Sequence, residues 1–274
     1  MFLIVGANGQ LGNELRLLLK DRAVYADREE LDITDRKAVK RFFADHKFDA
    51  IVNCAAYTAV DKAESDVQTA RKINVDGPLN LARTGVPMIH ISTDYVFDGK
   101  GYRPYKETDE TNPQSVYGQT KRESEKAVLD NASGAFIIRT AWLYSSFGNN
   151  FVKTMRRLGA EKERLSVVFD QTGTPTYAVD LAGVIVRALD DLAPGKKEIY
   201  HFSNEGVCSW YDFAVEIMRL SGLSCQVAPI ESKDYPTPAK RPFYSVLNKE
   251  KIKRELGVEI RHWTEALKDC MEKL

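Results

Sequence analysis

The chain of 274 residues is long enough for one large α/β domain or for a nucleotide-binding domain with a smaller companion. Its 39 Lys and Arg residues balance 39 Asp and Glu residues, so no overall field favours nucleic acid or an anionic membrane as a partner. The four cysteines lack the spacing of a zinc site or a disulfide framework. No signal peptide or apolar run of membrane-spanning length is evident. These features predict a cytoplasmic protein.

Apolar runs of the buried-strand type alternate with segments of helical periodicity through the first half of the chain. The predicted strands are residues 1–5, 23–27, 50–55, 88–93 and 135–144, and the predicted helices are residues 9–20, 35–47, 64–83 and 117–129. Strands that alternate with helices predict a parallel sheet that is covered on both faces. The predicted fold class is therefore α/β, with a doubly wound parallel sheet of the Rossmann type.

The alternation loosens after about residue 145, and a proline-rich segment, YPTPAKRP, follows later in the chain. We therefore predict a dinucleotide-binding domain over residues 1–145 and a smaller, mainly substrate-binding lobe over residues 146–274. The two are expected to interleave, because strands near 165–170 and 198–203 are predicted to return to the first domain. Two amphipathic helices, near 248–256 and 262–273, close the chain.

Three glycines occupy the turn between the first predicted strand and the first predicted helix, in the sequence GANGQLG. Gly6, Gly9 and Gly12 would permit a tight turn and a close approach of backbone N–H groups to a pyrophosphate. A glycine-rich turn without a ligand is the alternative, but the strand before it and the helix after it favour a dinucleotide site. Asp27 ends the second predicted strand, where a carboxylate would bind the adenosine ribose, whereas the adjacent Arg28 suits a 2′-phosphate. NADH and NADPH both remain open as cofactors.

The sequence YGQTK places Tyr117 and Lys121 four residues apart, on one face of a predicted helix. A lysine ammonium and an oxidised nicotinamide ring beside the phenol would together lower the tyrosine pKa, which is normally near 10. Tyr117 would then act as an acid or base. The alternative is a surface tyrosine and a solvated lysine, since the five-residue pattern is common, but the glycine turn about 105 residues upstream favours the catalytic interpretation.

With these two motifs the chain resembles the extended short-chain dehydrogenase/reductases, which combine such a glycine turn with a Ser/Thr, Tyr and Lys set. The stretch STDYVFDG supplies the hydroxyl at Thr93. Within that family the chain is similar to the dTDP-4-dehydrorhamnose reductases in the segments VNCAAYTAVDKAE, STDYVFDG, SVYGQTK, RTAWLY, GNNFVKTM, DQTGTPT and YPTPAKRP. The resemblance covers nearly the whole chain, from Gly6 to about Asn248.

The resemblance implies that Tyr117 donates a proton, that Lys121 modulates Tyr117 and anchors the ribose, and that Thr93 hydrogen-bonds the sugar carbonyl. The implied cofactor-binding residues are Gly6, Gly9, Gln10, Leu11, Gly12, Asp27, Arg28, Asp32, Ile33, Ala55, Ala56, Tyr57, Tyr117 and Lys121. The implied substrate-binding residues are Thr93, Asp94, Trp142, Asn150, Lys153 and Arg241. Structural roles are the alternative for three of these: a core position for Trp142, a helix cap for Asn150 and a solvated helix face for Lys153.

The reaction implied is NADPH- or NADH-dependent reduction of the C4 keto group of dTDP-4-dehydro-L-rhamnose to dTDP-L-rhamnose. One rival is another nucleotide-sugar reductase or a dehydratase, although a dehydratase would carry an acid where Tyr95 stands. A second rival is a non-catalytic, NADP-binding regulatory subunit resembling the β subunit of methionine adenosyltransferase. Some relatives are described as joining subunits through magnesium. Glu14 matches one such position but Val179 occupies another, so we expect no metal site, and a homodimer remains open.

Overall fold

The computed structural model describes all 274 residues and alternates strands with helices from the start of the chain. The strands are β1 (Phe2–Val5), β2 (Ala23–Ala26), β3 (Ala50–Asn53), β4 (Met88–Thr93), β5 (Ala135–Thr140), β6 (Leu143–Tyr144), β7 (Arg164–Val168), β8 (Thr172–Gly173), β9 (Thr176–Tyr177), β10 (Lys197–His201), β11 (Cys208–Ser209) and β12 (Gln226–Ile230). The α-helices are α1 (Gln10–Leu19), α2 (Arg36–Asp45), α3 (Val60–Ala63), α4 (Val67–Arg71), α5 (Gly77–Ala82), α6 (Val116–Asn131), α7 (Phe151–Glu161), α8 (Ala178–Asp191), α9 (Trp210–Ser221), α10 (Glu250–Leu256) and α11 (Trp263–Met271). None of these helices has the length and apolar character needed to cross a membrane.

The central sheet has six strands in the order β10-β5-β4-β3-β1-β2, and every neighbouring pair is parallel. From β1 the chain first moves outward to β2 and then crosses to β3 on the other side of β1. The strand order therefore reverses between β1 and β3, and in such sheets ligands bind in the crevice at the carboxyl ends of those strands. The predicted doubly wound α/β fold is confirmed.

Neighbouring residues of the central strands face different hydrophobic cores, as the two-residue period of a strand requires. Ile4 of β1 lies in a core with Leu15 of α1 and Ile185 of α8, whereas the adjacent Leu3 lies in a core with Leu81 of α5. Both faces of β1 are thus covered by helices, which is why its sequence is apolar throughout rather than alternating. Helices therefore enclose both faces of the sheet, and its carboxyl edge is left for a ligand.

The second half of the chain forms a smaller lobe with a core of its own, built from α7, α9 and α11 around side chains such as Val152, Phe213 and Leu267. The predicted return of the strand near 165–170 to the central sheet is wrong, because β7 pairs with β12 in a separate two-stranded sheet. The physical reason is that Leu165 and Val167 point into the lobe core while Arg164 and Ser166 are exposed. A strand buried on one face suits a peripheral sheet. By contrast, β10 pairs with β5 at the edge of the central sheet.

The long helix predicted for residues 64–83 is interrupted. Residues Lys72–Asp76 form a π-helical turn between α4 and α5. Pro78 lies in the first turn of α5 and cannot donate a backbone hydrogen bond to the turn before it, which accounts for the local change of helical register. This irregular turn lies beside the crevice of the sheet.

Candidate active site

The glycine turn packs directly against the end of β3. Gly6 has φ of +75°, and a Cβ at this position would lie 2.6 Å from the backbone nitrogen of Ala55. A Cβ on Gly12 would lie 2.6 Å from Cα of Ala7, so the first turn of α1 touches the turn that precedes it. Gly9 is the N-cap of α1, and no side chain caps this helix. The N–H groups of its first turn are therefore free to bind a phosphate, aided by the positive end of the helix dipole.

A cavity of about 460 Å³ opens beside this turn, within the size range of small-molecule sites. Its lining residues are Val5, Gly6, Gly9, Asp27, Arg28, Leu31, Asp32, Ile33, Thr34, Cys54, Ala55, Ala56, Thr69, Lys72 and Ile73. Eight of these belong to the cofactor set predicted from the sequence: Gly6, Gly9, Asp27, Arg28, Asp32, Ile33, Ala55 and Ala56. The glycine cradle and the mixture of apolar and charged walls fit a nicotinamide dinucleotide.

The polar residues of the cavity offer groups for both the ribose and a 2′-phosphate. Asp27 accepts hydrogen bonds from the backbone N–H groups of Asn8 (2.9 Å) and Arg28 (2.8 Å), which fix its carboxylate at the end of β2. Arg28 is exposed at the same wall, and Lys72 of the π-helical turn lines the same cavity. Sequence reasoning missed Lys72 and its neighbours Thr69 and Ile73, because nothing in their local sequence shows that an interrupted helix borders the crevice.

The predicted cofactor residues contribute in different ways, and several of them do not line the cavity. Asp32 accepts hydrogen bonds from the backbone and hydroxyl of Thr34, which lower its pKa. Leu11 is buried in the core, so only its backbone is available to a cofactor. The side-chain oxygen of Gln10 accepts from Asn150 at 2.9 Å. The backbone N–H of Tyr57 donates to the side chain of Asn74. Tyr57, Gln10 and Leu11 do not line the cavity.

The predicted catalytic residues meet at the carboxyl end of β4, beyond this cavity. Thr93 is the last residue of β4, and Tyr117 and Lys121 lie on the first turns of α6, which begins after the N-cap Ser115. The ammonium of Lys121 donates to the carbonyl oxygen of Ile91 at 2.6 Å, and burial lowers the pKa of Lys121 to about 8. Gly118 lets α6 pack against the backbone directly after β4. The proton-transfer groups are thus held against the strand end.

The electrostatics of Tyr117 differ from the sequence-based expectation. Burial raises the pKa of the phenol above its usual value, the Thr93 hydroxyl opposes this shift, and the charges of Asp94 and Tyr95 add to it. Lys121, whose ammonium donates to the Ile91 carbonyl, is not among the groups that shift this pKa. Tyr117 is therefore protonated, as a group that donates a proton must be before the reaction.

Asp94 follows Thr93 and is only 2% exposed. Its Oδ1 accepts from the Thr93 hydroxyl at 3.0 Å, whereas Oδ2 has no hydrogen-bond partner. Burial raises the pKa of Asp94 to about 6. This buried carboxyl group therefore lies directly beside the Thr93 hydroxyl, next to the catalytic set.

The other predicted substrate residues form two groups. Trp142 has φ of +47° and stacks on Trp210 with ring centroids 3.6 Å apart. Asn150 is the N-cap of α7 and donates to Ser145 O at 2.7 Å, and the ammonium of Lys153 donates to Gly148 O at 3.0 Å. Asn150 is therefore a helix cap, which was the structural alternative for this residue, and it also contacts Gln10.

Arg241 lies at the catalytic end, although it is distant in sequence. Its guanidinium donates to Asp61 at 2.6 Å and to the Tyr95 hydroxyl at 3.1 Å. The ring of Tyr95 meets the ring of Tyr117 edge-on, with centroids 5.6 Å apart. Arg241 therefore approaches the catalytic tyrosine through one intervening side chain. Sequence reasoning missed the partner Asp61, which forms this ion pair from α3.

The two positions considered as metal ligands carry different kinds of side chain. Glu14 is buried and accepts from the Ser145 hydroxyl at 2.6 Å, whereas Val179 lies in α8 and carries no ligand atom. No group of three or more His, Cys, Asp or Glu side chains is arranged to hold a metal ion.

Comparisons with known proteins agree along the whole chain. The family model described as RmlD substrate binding domain matches residues 1–274. A dTDP-4-dehydrorhamnose reductase from Streptomyces griseus is 44% identical over 286 residues, which cover 100% of this chain and 93% of that protein. The crystal structure of a dTDP-4-dehydrorhamnose reductase from Clostridium acetobutylicum is 47% identical, with a TM-score of 0.95 and coverage of 99% of this chain and 98% of that one. The crystal structure of dTDP-4-dehydrorhamnose reductase from Bacillus anthracis in complex with NADP is 36% identical, with a TM-score of 0.95 and coverage of 100% and 99%. The chain therefore belongs to the RmlD substrate-binding-domain family.

Proposed function

We propose that this protein reduces the C4 keto group of dTDP-4-dehydro-L-rhamnose to give dTDP-L-rhamnose, with NADPH or NADH as the reductant, in nucleotide-sugar biosynthesis. The observation that carries the proposal is the meeting of Thr93, Tyr117 and Lys121 at the end of β4, next to a glycine-lined dinucleotide cavity. The names of the relatives support the sugar and the cofactor. Action in the cytoplasm, without nucleic acid or membrane as a partner, is part of the same proposal.

The cofactor would lie with its pyrophosphate on the first turn of α1 and its adenosine in the cavity beside Asp27 and Arg28. When bound, the reduced nicotinamide supplies a hydride to the sugar. Arg28 and Lys72 together place two cations where a 2′-phosphate would lie, which favours NADPH, while the Asp27 carboxylate suits the ribose hydroxyls of NADH. Both cofactors are therefore included in the proposal.

The residues of this chain supply the proton and stabilise the developing charge. Tyr117, whose raised pKa keeps it protonated, gives its proton to the C4 oxygen as that oxygen becomes an alkoxide. The Thr93 hydroxyl has one proton, which is directed to Asp94 Oδ1 and turns to the C4 oxygen when a substrate is bound. The Lys121 ammonium then stabilises the phenolate that Tyr117 has become.

The two rival functions are each weakened by one observation. A dehydratase would need an acid where Tyr95 stands, and the Tyr95 hydroxyl is instead bound by the Arg241 guanidinium. A non-catalytic regulatory subunit would not need the proton-transfer groups, yet Thr93 and Lys121 are buried at the strand end and Tyr117 lies half-buried beside them.

The test is to mix the protein with dTDP-4-dehydro-L-rhamnose and each reduced cofactor, follow the absorbance of the reduced nicotinamide, and identify the sugar product by NMR. The expected result is stoichiometric cofactor oxidation with formation of dTDP-L-rhamnose, which Tyr117→Phe largely abolishes. If wild-type protein binds NADPH but oxidises none with this sugar, the proposed reaction is wrong. Conversion of dTDP-glucose without net cofactor consumption would instead indicate a dehydratase.

A further inference from the structure

A buried imidazole lies between the cofactor cavity and the catalytic helix. His90 is in the middle of β4, is inaccessible to solvent, and is paired in register with Asn53 on β3. Its Nδ1 lies 3.1 Å from the side-chain nitrogen of Asn53, and its Nε2 lies 2.6 Å from the Ser124 hydroxyl on α6. The ammonium of Lys121 is 3.5 Å from the same Nε2. None of the steps proposed above uses His90, Asn53 or Ser124.

One backbone N–H fixes the orientation of this whole cluster. The N–H of Ala55 can only donate, and it meets Asn53 Oδ1 at 3.1 Å. The amide nitrogen of Asn53 must therefore be the atom that faces His90, and an amide nitrogen can only donate as well. His90 Nδ1 is consequently the acceptor, so the neutral ring carries its proton on Nε2 and donates it to Ser124.

The same argument determines where the Lys121 protons go. Because His90 Nε2 carries a hydrogen, it cannot accept a hydrogen bond from the ammonium of Lys121, which donates to Ile91 O instead. Burial and the charge of Lys121 hold the pKa of His90 well below its usual value, so the ring stays neutral. The charged or titratable groups around the cluster are Lys121, Tyr117 and Glu125 from α6, Cys54 after β3 and Arg139 from β5.

The cluster joins two parts of the proposed site that belong to different elements. Ala55 lines the cofactor cavity and touches the glycine turn. Ser124 lies on α6 one turn beyond Lys121, and two turns beyond Tyr117. We propose that His90, held in its Nε2-protonated form by Asn53, is a positioning residue that couples the cofactor wall at the end of β3 to the helix face carrying Tyr117 and Lys121.

A spectroscopic test addresses the tautomer without any substrate. Two-bond ¹H–¹⁵N correlation spectra of ¹⁵N-histidine protein contain signals from four histidines, and the signal lost in His90→Gln identifies His90. The expected pattern is a bare Nδ1 and a protonated Nε2 that do not change over the pH range of activity. A proton on Nδ1, or a ring that becomes charged in this range, would overturn the proposal.

A kinetic test uses two matched serine variants and rests on the proposed function. Ser124→Ala removes the acceptor of the Nε2 hydrogen, whereas Ser92→Ala removes an equally short, equally buried bond from β4 to Glu125 on the same helix without touching His90. Ser124→Ala should lower kcat about tenfold, as expected for the loss of about one hydrogen bond from the reacting geometry. The Kd for NADPH should stay within about twofold of the wild-type value, because the pyrophosphate contacts are intact.

The pH profile distinguishes positioning from a general structural role. Without Ser124, the Nε2 hydrogen of His90 faces Lys121 and favours its neutral form, so the alkaline limb of kcat should move to lower pH. Ser92→Ala should leave this limb in place. Equal effects of the two serine variants on kcat and on the limb would contradict the proposal.

Substitution at His90 itself provides a rescue experiment. His90→Gln can accept from Asn53 and donate to Ser124, so it should retain more turnover than His90→Phe, which can do neither. If His90→Phe does not fold, the spectra and the serine pair still decide the matter. Absence of turnover in the wild-type protein would refute the proposed reaction and leave the tautomer test unaffected.

Discussion

Replacing Gly12 by alanine tests the proposed cofactor turn in the most direct way. The new Cβ would lie 2.6 Å from Cα and 2.7 Å from the carbonyl carbon of Ala7, and closer still to the carbonyl oxygen of Gly6. All three are backbone atoms, so no side chain can rotate to relieve the contact. Overpacking of this kind costs about 1–3 kcal/mol, and removing a glycine from a helix returns about 0.5–1 kcal/mol. The expected net destabilisation is about 1–2 kcal/mol.

The cofactor should respond more strongly than the fold. To escape the contact, the first turn of α1 must move away from the turn that carries Gly6, which displaces the N–H groups proposed to bind the pyrophosphate. Since about 1.4 kcal/mol changes an equilibrium constant tenfold, the Kd for NADPH in a fluorescence titration should rise about tenfold. The melting temperature should fall by roughly 2–4 °C for each kcal/mol lost.

Gly183→Ala is the matched control, because this glycine is also helical but a Cβ there meets no atom within 4 Å. It should stabilise the protein by about 0.5–1 kcal/mol and leave the Kd for NADPH unchanged. A Gly12→Ala protein that binds NADPH as tightly as the wild type would show that the dinucleotide does not use this turn.

Four further predictions concern individual residues. Arg28→Ala should weaken NADPH binding more than NADH binding, since only NADPH carries a 2′-phosphate, and equal losses in fluorescence titrations would remove this role from Arg28. Arg241→Ala should raise KM for the nucleotide sugar far more than KM for NADPH, and an unchanged sugar KM in steady-state assays would exclude Arg241 from the binding site. Thr93→Val should lower kcat by about 10²–10³, as for the loss of one oxyanion donor. The kcat of Tyr117→Phe should be lower still, and the kcat of the double variant should be little lower than that of Tyr117→Phe. Near wild-type turnover for Thr93→Val would contradict its role as a donor. Because burial lowers the pKa of Lys121 to about 8, loss of the proton from its ammonium should reduce kcat progressively as the pH rises above that value. Lys121→Arg should move this alkaline limb of the kcat–pH profile to higher pH. If the limb stays in place, another group is responsible for it.

Local sequence signals were sufficient for the parts of the fold that depend on local geometry. The glycine turn and the four-residue spacing of Tyr117 and Lys121 are short-range patterns, and the structure places both at the carboxyl edge of the sheet. The strand near 165–170 was assigned to the wrong sheet because its five residues, RLSVV, fit either a central or a peripheral strand. Its partner β12 is about 60 residues away, and only the tertiary packing of Leu165 against the lobe core selects it.

The electrostatics of the site could not be predicted from spacing, because desolvation depends on the whole fold. The sequence correctly places Lys121 one turn from Tyr117, but it does not show that the Ile91 carbonyl accepts a hydrogen bond from the ammonium or that burial raises the pKa of the phenol. The same holds for Asp61, whose ion pair with Arg241 joins residues 180 positions apart. Residue types were recoverable from motifs, whereas their protonation states required the packed structure.

A buried polar layer beneath the catalytic residues helps to explain why their geometry depends on the packing of α6 on the sheet. Glu125 of α6 accepts two hydrogen bonds of 2.8 Å from Arg139 and one of 2.6 Å from Ser92, and both charged side chains are at most 2% exposed. Such a pair adds little net stability, because the desolvation of the charges offsets their attraction. Apolar side chains of similar volume would stabilise the contact at least as well, but they would not fix the rotation of the helix. We infer that the two hydrogen bonds of the Glu125–Arg139 pair, which persist without the Ser92 bond, set the depth and rotation of α6 on the sheet, whereas the His90 cluster couples this helix to the cofactor wall.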